Sequence, residues 1–147
     1  MRHRIKGKKL GRVSKQRTAL FKNQLRSLLI HGSIRTTYAK AKALIPLVER
    51  FCHQAVKADL SSKRYMYRYL QDRSWVSQVE KAILTSFPDT KSNFTRLVKT
   101  GNRLGDDAPM AKLSFTKPID FSLKKEDKKD IKSKKATTAT KKIKTKK

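Results

Sequence analysis

Residues 37–57 read TYAKAKALIPLVERFCHQAVK. Within this run Ala41, Leu44, Ile45, Val48, Phe51, Cys52, Ala55 and Val56 recur at spacings of three and four, the period of one apolar face on an α-helix. Thr37 is placed to cap the helix. Pro46 removes the hydrogen bond to residue 42, which predicts a kink near Lys42 with the apolar pattern continuing on both sides. Cys52 falls on the apolar face and reads as core, since an unpaired cysteine behaves as a small buried hydrophobe.

So broad an apolar face needs a covering layer, and the flanking sequence supplies one. Upstream, Ser14 is a candidate N-cap for a helix that places Phe21, Leu25, Leu28 and Leu29 on one face, with Gly32 as its stop. Ile34 to Tyr38 is rich in strand formers. Downstream, Ser61 or Ser62 can cap a short helix through KRYMYRYLQD. Ser74 can cap another through WVSQVEKAILTSF, with Trp75, Val79, Ala82, Ile83 and Phe87 facing inward. Pro88 opens a loop, PDTKSN. FTRLVKTGNR and MAKLSFTKPI then read as two strands joined by a turn containing Gly101, Gly105, Asp106, Asp107 and Pro109. The order helix, strand, three helices, two strands predicts an α+β fold of two layers, with helices on one face of a small sheet.

Three zones follow. Residues 1–13 form a basic, extended arm, residues 14–121 a single globular domain, and residues 122–147 a Lys-rich tail of low complexity. The tail lacks the apolar surface to offset its ordering entropy and is expected to be disordered when free.

Charge narrows the function. The chain carries 38 Lys+Arg and 11 Asp+Glu in 147 residues, a net charge of +27, and so calls for a polyanionic partner. No run is apolar and long enough for a transmembrane helix, and neither a basic amphipathic helix nor a lipidation motif marks the N-terminal stretch as membrane-bound. Nucleic acid is the expected partner. From Met1 to Arg17 there are eight Lys or Arg and no acid, with Gly7 and Gly11 free to follow a crowded phosphate surface. By contrast, Lys57, Lys63 and Lys81 read as solvated helix faces.

Enzyme chemistry finds little support. The GKK near the N-terminus lacks the remaining elements of a phosphate-binding loop, and no nucleophile-elbow context surrounds any Ser. Asp106 and Asp107 read as turn formers. One Cys and three scattered His show no metal-ligand spacing, so no cofactor, metal or small-molecule substrate is expected. A general DNA-binding, nucleoid-type protein is the alternative that charge alone leaves open. An RNA-processing enzyme is a weaker one.

Particular residues carry more than the composition. Met1-Arg2-His3-Arg4, Lys6-Gly7-Lys8-Lys9-Leu10 and Arg12 form the first motif, and Ile34-Arg35-Thr36-Thr37 with Lys40-Ala41-Lys42 the second. Phe94-Thr95-Arg96 through Gly105-Asp106-Asp107-Ala108-Pro109-Met110-Ala111 forms the third. In this order they resemble the bacterial ribosomal proteins numbered seventeen of the large subunit. The resemblance implies a structural constituent of the large ribosomal subunit that binds the large rRNA and adjoins neighbouring large-subunit proteins. It carries the family's basic arm onto Arg2, His3, Arg4, Lys6, Lys8, Lys9 and Arg12, and its threonine pair with following lysines onto Thr36, Thr37, Lys40 and Lys42. Lys15, Arg17, Arg35, Arg96, Lys99 and Arg103 complete the candidate rRNA contacts, expected mainly to phosphate and sugar.

The motif starts at Met1, so no removable presequence is expected and the bacterial cytoplasm, or an organelle that encodes the protein, is the expected location. Four positions depart from the family pattern. Ser92-Asn93 stand where a Gly pair is common, Ala43 where Glu is common, and Asp107 where Asn is common.

Overall fold

The computed structural model describes residues 7–88, 90 and 92–119. Its elements are α1 (Ser14–His31), β1 (Ser33–Thr37), α2 (Tyr38–Lys57), α3 (Leu60–Leu70), α4 (Arg73–Ser86), β2 (Thr95–Asn102) and β3 (Pro109–Phe115). This is the expected α+β order. The three strands form one antiparallel sheet in the order β1-β3-β2, so the last strand in sequence lies in the middle.

The helix predicted from residues 37–57 organises the core. Leu44, Val48, Phe51, Cys52 and Ala55 of α2 are buried against Leu25, Leu28 and Leu29 of α1, Met66 and Leu70 of α3, and Val79 and Ile83 of α4. Leu113 and Phe115 complete the cluster from β3. α2 runs as one helix through Pro46, and both Pro46 and Lys42 lie on its exposed side. Cys52 is fully buried; desolvation first, and the nearby Glu49 charge second, push its thiol far up, which leaves it inert packing.

Register assigns each strand residue to a face. Ile34, Leu113 and Leu97 are cross-strand neighbours on the helix side, as are Thr36, Ala111 and Lys99. Ser33, Ser114 and Arg96 share the opposite side with Arg35, Lys112 and Val98. A bulge between Lys99 and Gly101 shifts the register near the turn.

Helix starts differ from expectation. Val13, not Ser14, occupies the N-cap of α1, and Ser14 is already helical. α3 begins one residue after Asp59, so neither Ser61 nor Ser62 caps it; Ser62 is buried and donates to Gln54 Oε1 at 2.9 Å. Asp72 caps α4 by accepting from the backbone N–H of Ser74 at 2.9 Å, which corrects the assignment of the cap to Ser74 itself. Asp competes with Ser for such positions, and two candidates a few residues apart are separated only by where tertiary packing starts the helix. Tyr38 opens α2 instead of ending β1. The stop of α1 is as predicted: Gly32 has φ 68° and donates to the Leu28 carbonyl at 2.9 Å.

Two of the departures from the family pattern, Asn93 and Asp107, have local explanations. Asn93 takes a left-handed backbone at φ 64°, a conformation that glycine favours and Asn tolerates. Asp107, at φ 49°, accepts from Asn102 Nδ2 at 2.8 Å across the β2–β3 turn.

Candidate nucleic-acid interface

One face of the sheet packs on α2, and the other is left open by the described residues. On the open face Arg35 of β1 lies directly across from Lys112 of β3, and Lys112 directly across from Val98 of β2. Arg96 stands beside Ser114 and Ser33, its neighbours across the central strand. Arg35, Arg96 and Lys112 are all exposed. Like charges directly opposite one another destabilise a sheet, and no acid within β1, β2 or β3 offsets them.

The acids among the described residues are engaged elsewhere or stand at helix ends. Glu49 accepts from the backbone N–H groups of Phe94 and Thr95, Asp72 caps α4, Glu80 faces Lys63, and Asp106 and Asp107 close the β2–β3 turn. Asp59 is the N-cap residue of α3. Among the described residues, Arg35, Arg96 and Lys112 therefore have no acidic partner on the open face.

At the turn end of this face a hollow of about 530 Å³ is bordered by Arg35, Asn102, Arg103, Leu104 and Met110. Arg103 is fixed there: its Nε donates to Asp106 Oδ1 at 2.9 Å and its Nη2 to Oδ2. That pair holds the Asp106 carboxyl down at about 2 and raises the Arg103 guanidinium further, chiefly through the same hydrogen bonds. Leu104 projects almost wholly into solvent at the tip.

The candidate contacts thus fall into separate groups. Arg35, Arg96 and Arg103 belong to the open face and its hollow. Lys99 lies on the helix side, its Nζ 5.2 Å from the centroid of the Tyr38 ring, with Lys42 Nζ at 5.9 Å from the same ring. Lys40 is half-buried in the first turn of α2. Thr36 accepts from Gln24 Nε2 at 3.3 Å, and the Thr37 hydroxyl makes no capping bond although Thr37 is the N-cap residue.

The described part of the arm turns at Leu10 and Gly11, both at positive φ, with Arg12 N–H donating to the Lys9 carbonyl at 3.2 Å. Arg17 fastens that turn to α1, its Nη1 lying 3.3 Å from the Lys9 carbonyl and 3.4 Å from that of Arg12. Lys8, Lys9, Arg12 and Lys15 are exposed. Arg2, His3, Arg4, Lys6 and the tail from 122 to 147 lie outside the described residues.

Lys112 is absent from the sequence candidates, although it sits in the middle of the open face. Its signal is the alternation Ala111, Lys112, Leu113, which sets it opposite two core residues.

Residues 20–116 match the family model described as ribosomal protein L17. The chain belongs to the L17 family. Its L17 relatives include the large ribosomal subunit protein bL17 of Thermodesulfovibrio yellowstonii, 40% identical over 136 residues, which cover 92% of this chain and 99% of the relative. The bL17 protein of Nitratidesulfovibrio vulgaris is 42% identical over 120 residues, 81% of this chain and 90% of its own length. That of Syntrophotalea carbinolica is 40% identical over 109 residues, 74% and 70% of the two chains. The matched L17 span contains β1, β2 and β3 entirely, and with them the open basic face.

Proposed function

We propose that this chain is a structural, non-enzymatic constituent of the large ribosomal subunit in the cytoplasm. It binds the large rRNA through the open sheet face and the basic arm, and adjoins other large-subunit proteins. The observation that carries this reading is the pairing of Arg35 with Lys112 on a sheet face whose three strands carry no acid, in a chain of the L17 family. An arrangement that costs the isolated sheet stability becomes favourable when phosphates lie across it. Arg96 extends the positive strip, and Arg103, held by Asp106, presents its remaining donors at the hollow. We assign residues 1–13 to an rRNA-binding arm, 14–121 to the folded domain and 122–147 to a tail that adds affinity without register, because lysine acts on phosphate as a point charge.

Sedimentation of a cell extract at low magnesium, which separates the subunits, tests the reading. The chain is expected in near-equal amount with the large subunit and should resist a moderate salt wash. Recovery only in free or DNA-bound fractions would reject it.

A further inference from the structure

α3 and α4 pack on α2 and on each other, and between them opens a cleft of about 440 Å³, a size within the range of roughly 300–1,000 Å³ that suits small ligands. Its lining is mixed in an unusual way. Glu80, only 6% exposed, contributes a carboxylate whose Oε2 lies 3.5 Å from Lys63 Nζ, while its Oε1 is buried with no hydrogen-bond partner. Leu60 and Tyr67 are 67% and 45% exposed, and Arg64 and Arg73 join Lys63 around them.

A buried carboxylate oxygen without a donor is costly, and a lysine at 3.5 Å with half of its side chain in solvent satisfies the other oxygen poorly. The cleft therefore lacks three things from outside. The carboxylate needs N–H donors, the exposed tyrosine ring and leucine need a flat apolar body, and the three cations need negative charge.

One nucleotide combines them. Guanine places N1–H and the N2 amino group side by side on its Watson–Crick edge, matching the two oxygens of a carboxylate, which accepts only. Adenine and cytosine each set a ring-nitrogen acceptor beside their amino group, and uracil flanks its single N–H with two carbonyls. Each of those edges aims a lone pair at Glu80. We propose that the α3–α4 cleft holds one unpaired guanine nucleotide of RNA, its edge on Glu80 once a turn of that side chain brings the shut-in Oε1 to the cleft, its face on Tyr67 and its phosphate on Lys63, Arg64 and Arg73. Lys63 then exchanges a weak ion pair for a bond to phosphate. This inference rests on the RNA-binding reading above but concerns a surface separate from the sheet face.

Binding of three pentaribonucleotides to the full chain, UUGUU, UUAUU and UUIUU with inosine at the centre, tests it. All three share backbone charge, so contacts to the arm cancel in the comparison. UUGUU is expected to bind about tenfold more tightly than the others, inosine losing the N2 donor. Glu80→Gln should abolish that preference, and Tyr67→Ala, at a half-exposed ring, should weaken UUGUU several-fold without unfolding the domain. Equal binding of the three to the native chain would overturn the proposal even if Glu80→Gln failed to fold. So would a preference that survives in a folded Glu80→Gln protein. Sedimentation with the large subunit is scored separately: a native chain that sediments there without guanine preference rejects the cleft alone.

Discussion

Glu49 in α2 binds Thr95 at the start of β2 twice, accepting from its backbone N–H at 3.0 Å and from its hydroxyl at 2.7 Å. The second carboxylate oxygen accepts from the N–H of Phe94 at 3.2 Å, and the Phe94 ring meets Phe87 edge-on at 5.3 Å between centroids. One acid thus fixes where β2 begins, and the residue that follows, Arg96, is set on the open face.

Removing that acid should loosen the strand. Glu49→Ala leaves two partly buried backbone donors without acceptors and is expected to cost about 1–3 kcal/mol in urea unfolding. Glu49→Gln keeps one acceptor oxygen and should cost less. A midpoint unchanged in both variants would show that β2 is held by its ladder alone.

The sheet face should act through charge and not through packing. Arg35→Ala, Lys112→Ala and Arg96→Ala are each expected to weaken rRNA binding while leaving thermal unfolding nearly unchanged. In a salt titration each should lower the slope of log affinity against log salt by about 0.7–0.9 for every phosphate left without its cation. Lys99→Ala, on the helix side beside Tyr38, should have the smaller effect.

Deletion of residues 2–12 tests the arm. Residues 7–13 include none that is buried, so the domain should keep its melting temperature while both affinity for rRNA and salt slope fall. Arg17→Ala should reproduce part of this loss, because it releases the Lys9–Arg12 turn from α1.

Acid should undo the β2–β3 turn late. The Asp106 carboxyl is lowered from its ordinary value near 3.8 to about 2. A carboxyl depressed in the folded state stabilises above its ordinary pKa, and that contribution is lost as pH falls through about 2. NMR titration should therefore place the Asp106 midpoint near 2 in the native chain and return it toward the ordinary value in Arg103→Gln.

Local signals make most of the fold legible. The apolar period of α2, the glycine stop of α1 and the β-formers of the strands are contained within a few residues of where they act. Helix starts are less so, since Asp59 and Asp72 compete with nearby serines. Arg96 and Lys99, both candidate contacts, are an odd number of residues apart on β2 and point to opposite sides of the sheet. Lys112 gains its meaning only from the pairing with Arg35, and Glu49 from its bonds to Thr95, both between segments remote in sequence. The guanine cleft, likewise, depends on α3 meeting α4, and Lys63 alone reads as a solvated charge.

The position of β3 governs when the protein becomes competent. Ser33 pairs with Ser114, so the first strand waits without a hydrogen-bonded neighbour while nearly the whole domain is being translated. Helices α1 to α4 can associate on the emerging chain, but the strip formed by Arg35, Lys112 and Arg96 does not exist until the last strand slides between the other two. Such remote pairing is slow because a large loop must close before any contact rewards it. Vectorial synthesis therefore schedules the protein: nascent copies that stall before β3 carry Arg35 and Arg96 but neither Lys112 nor the register that aligns them, and only chains that include β3 present the strip.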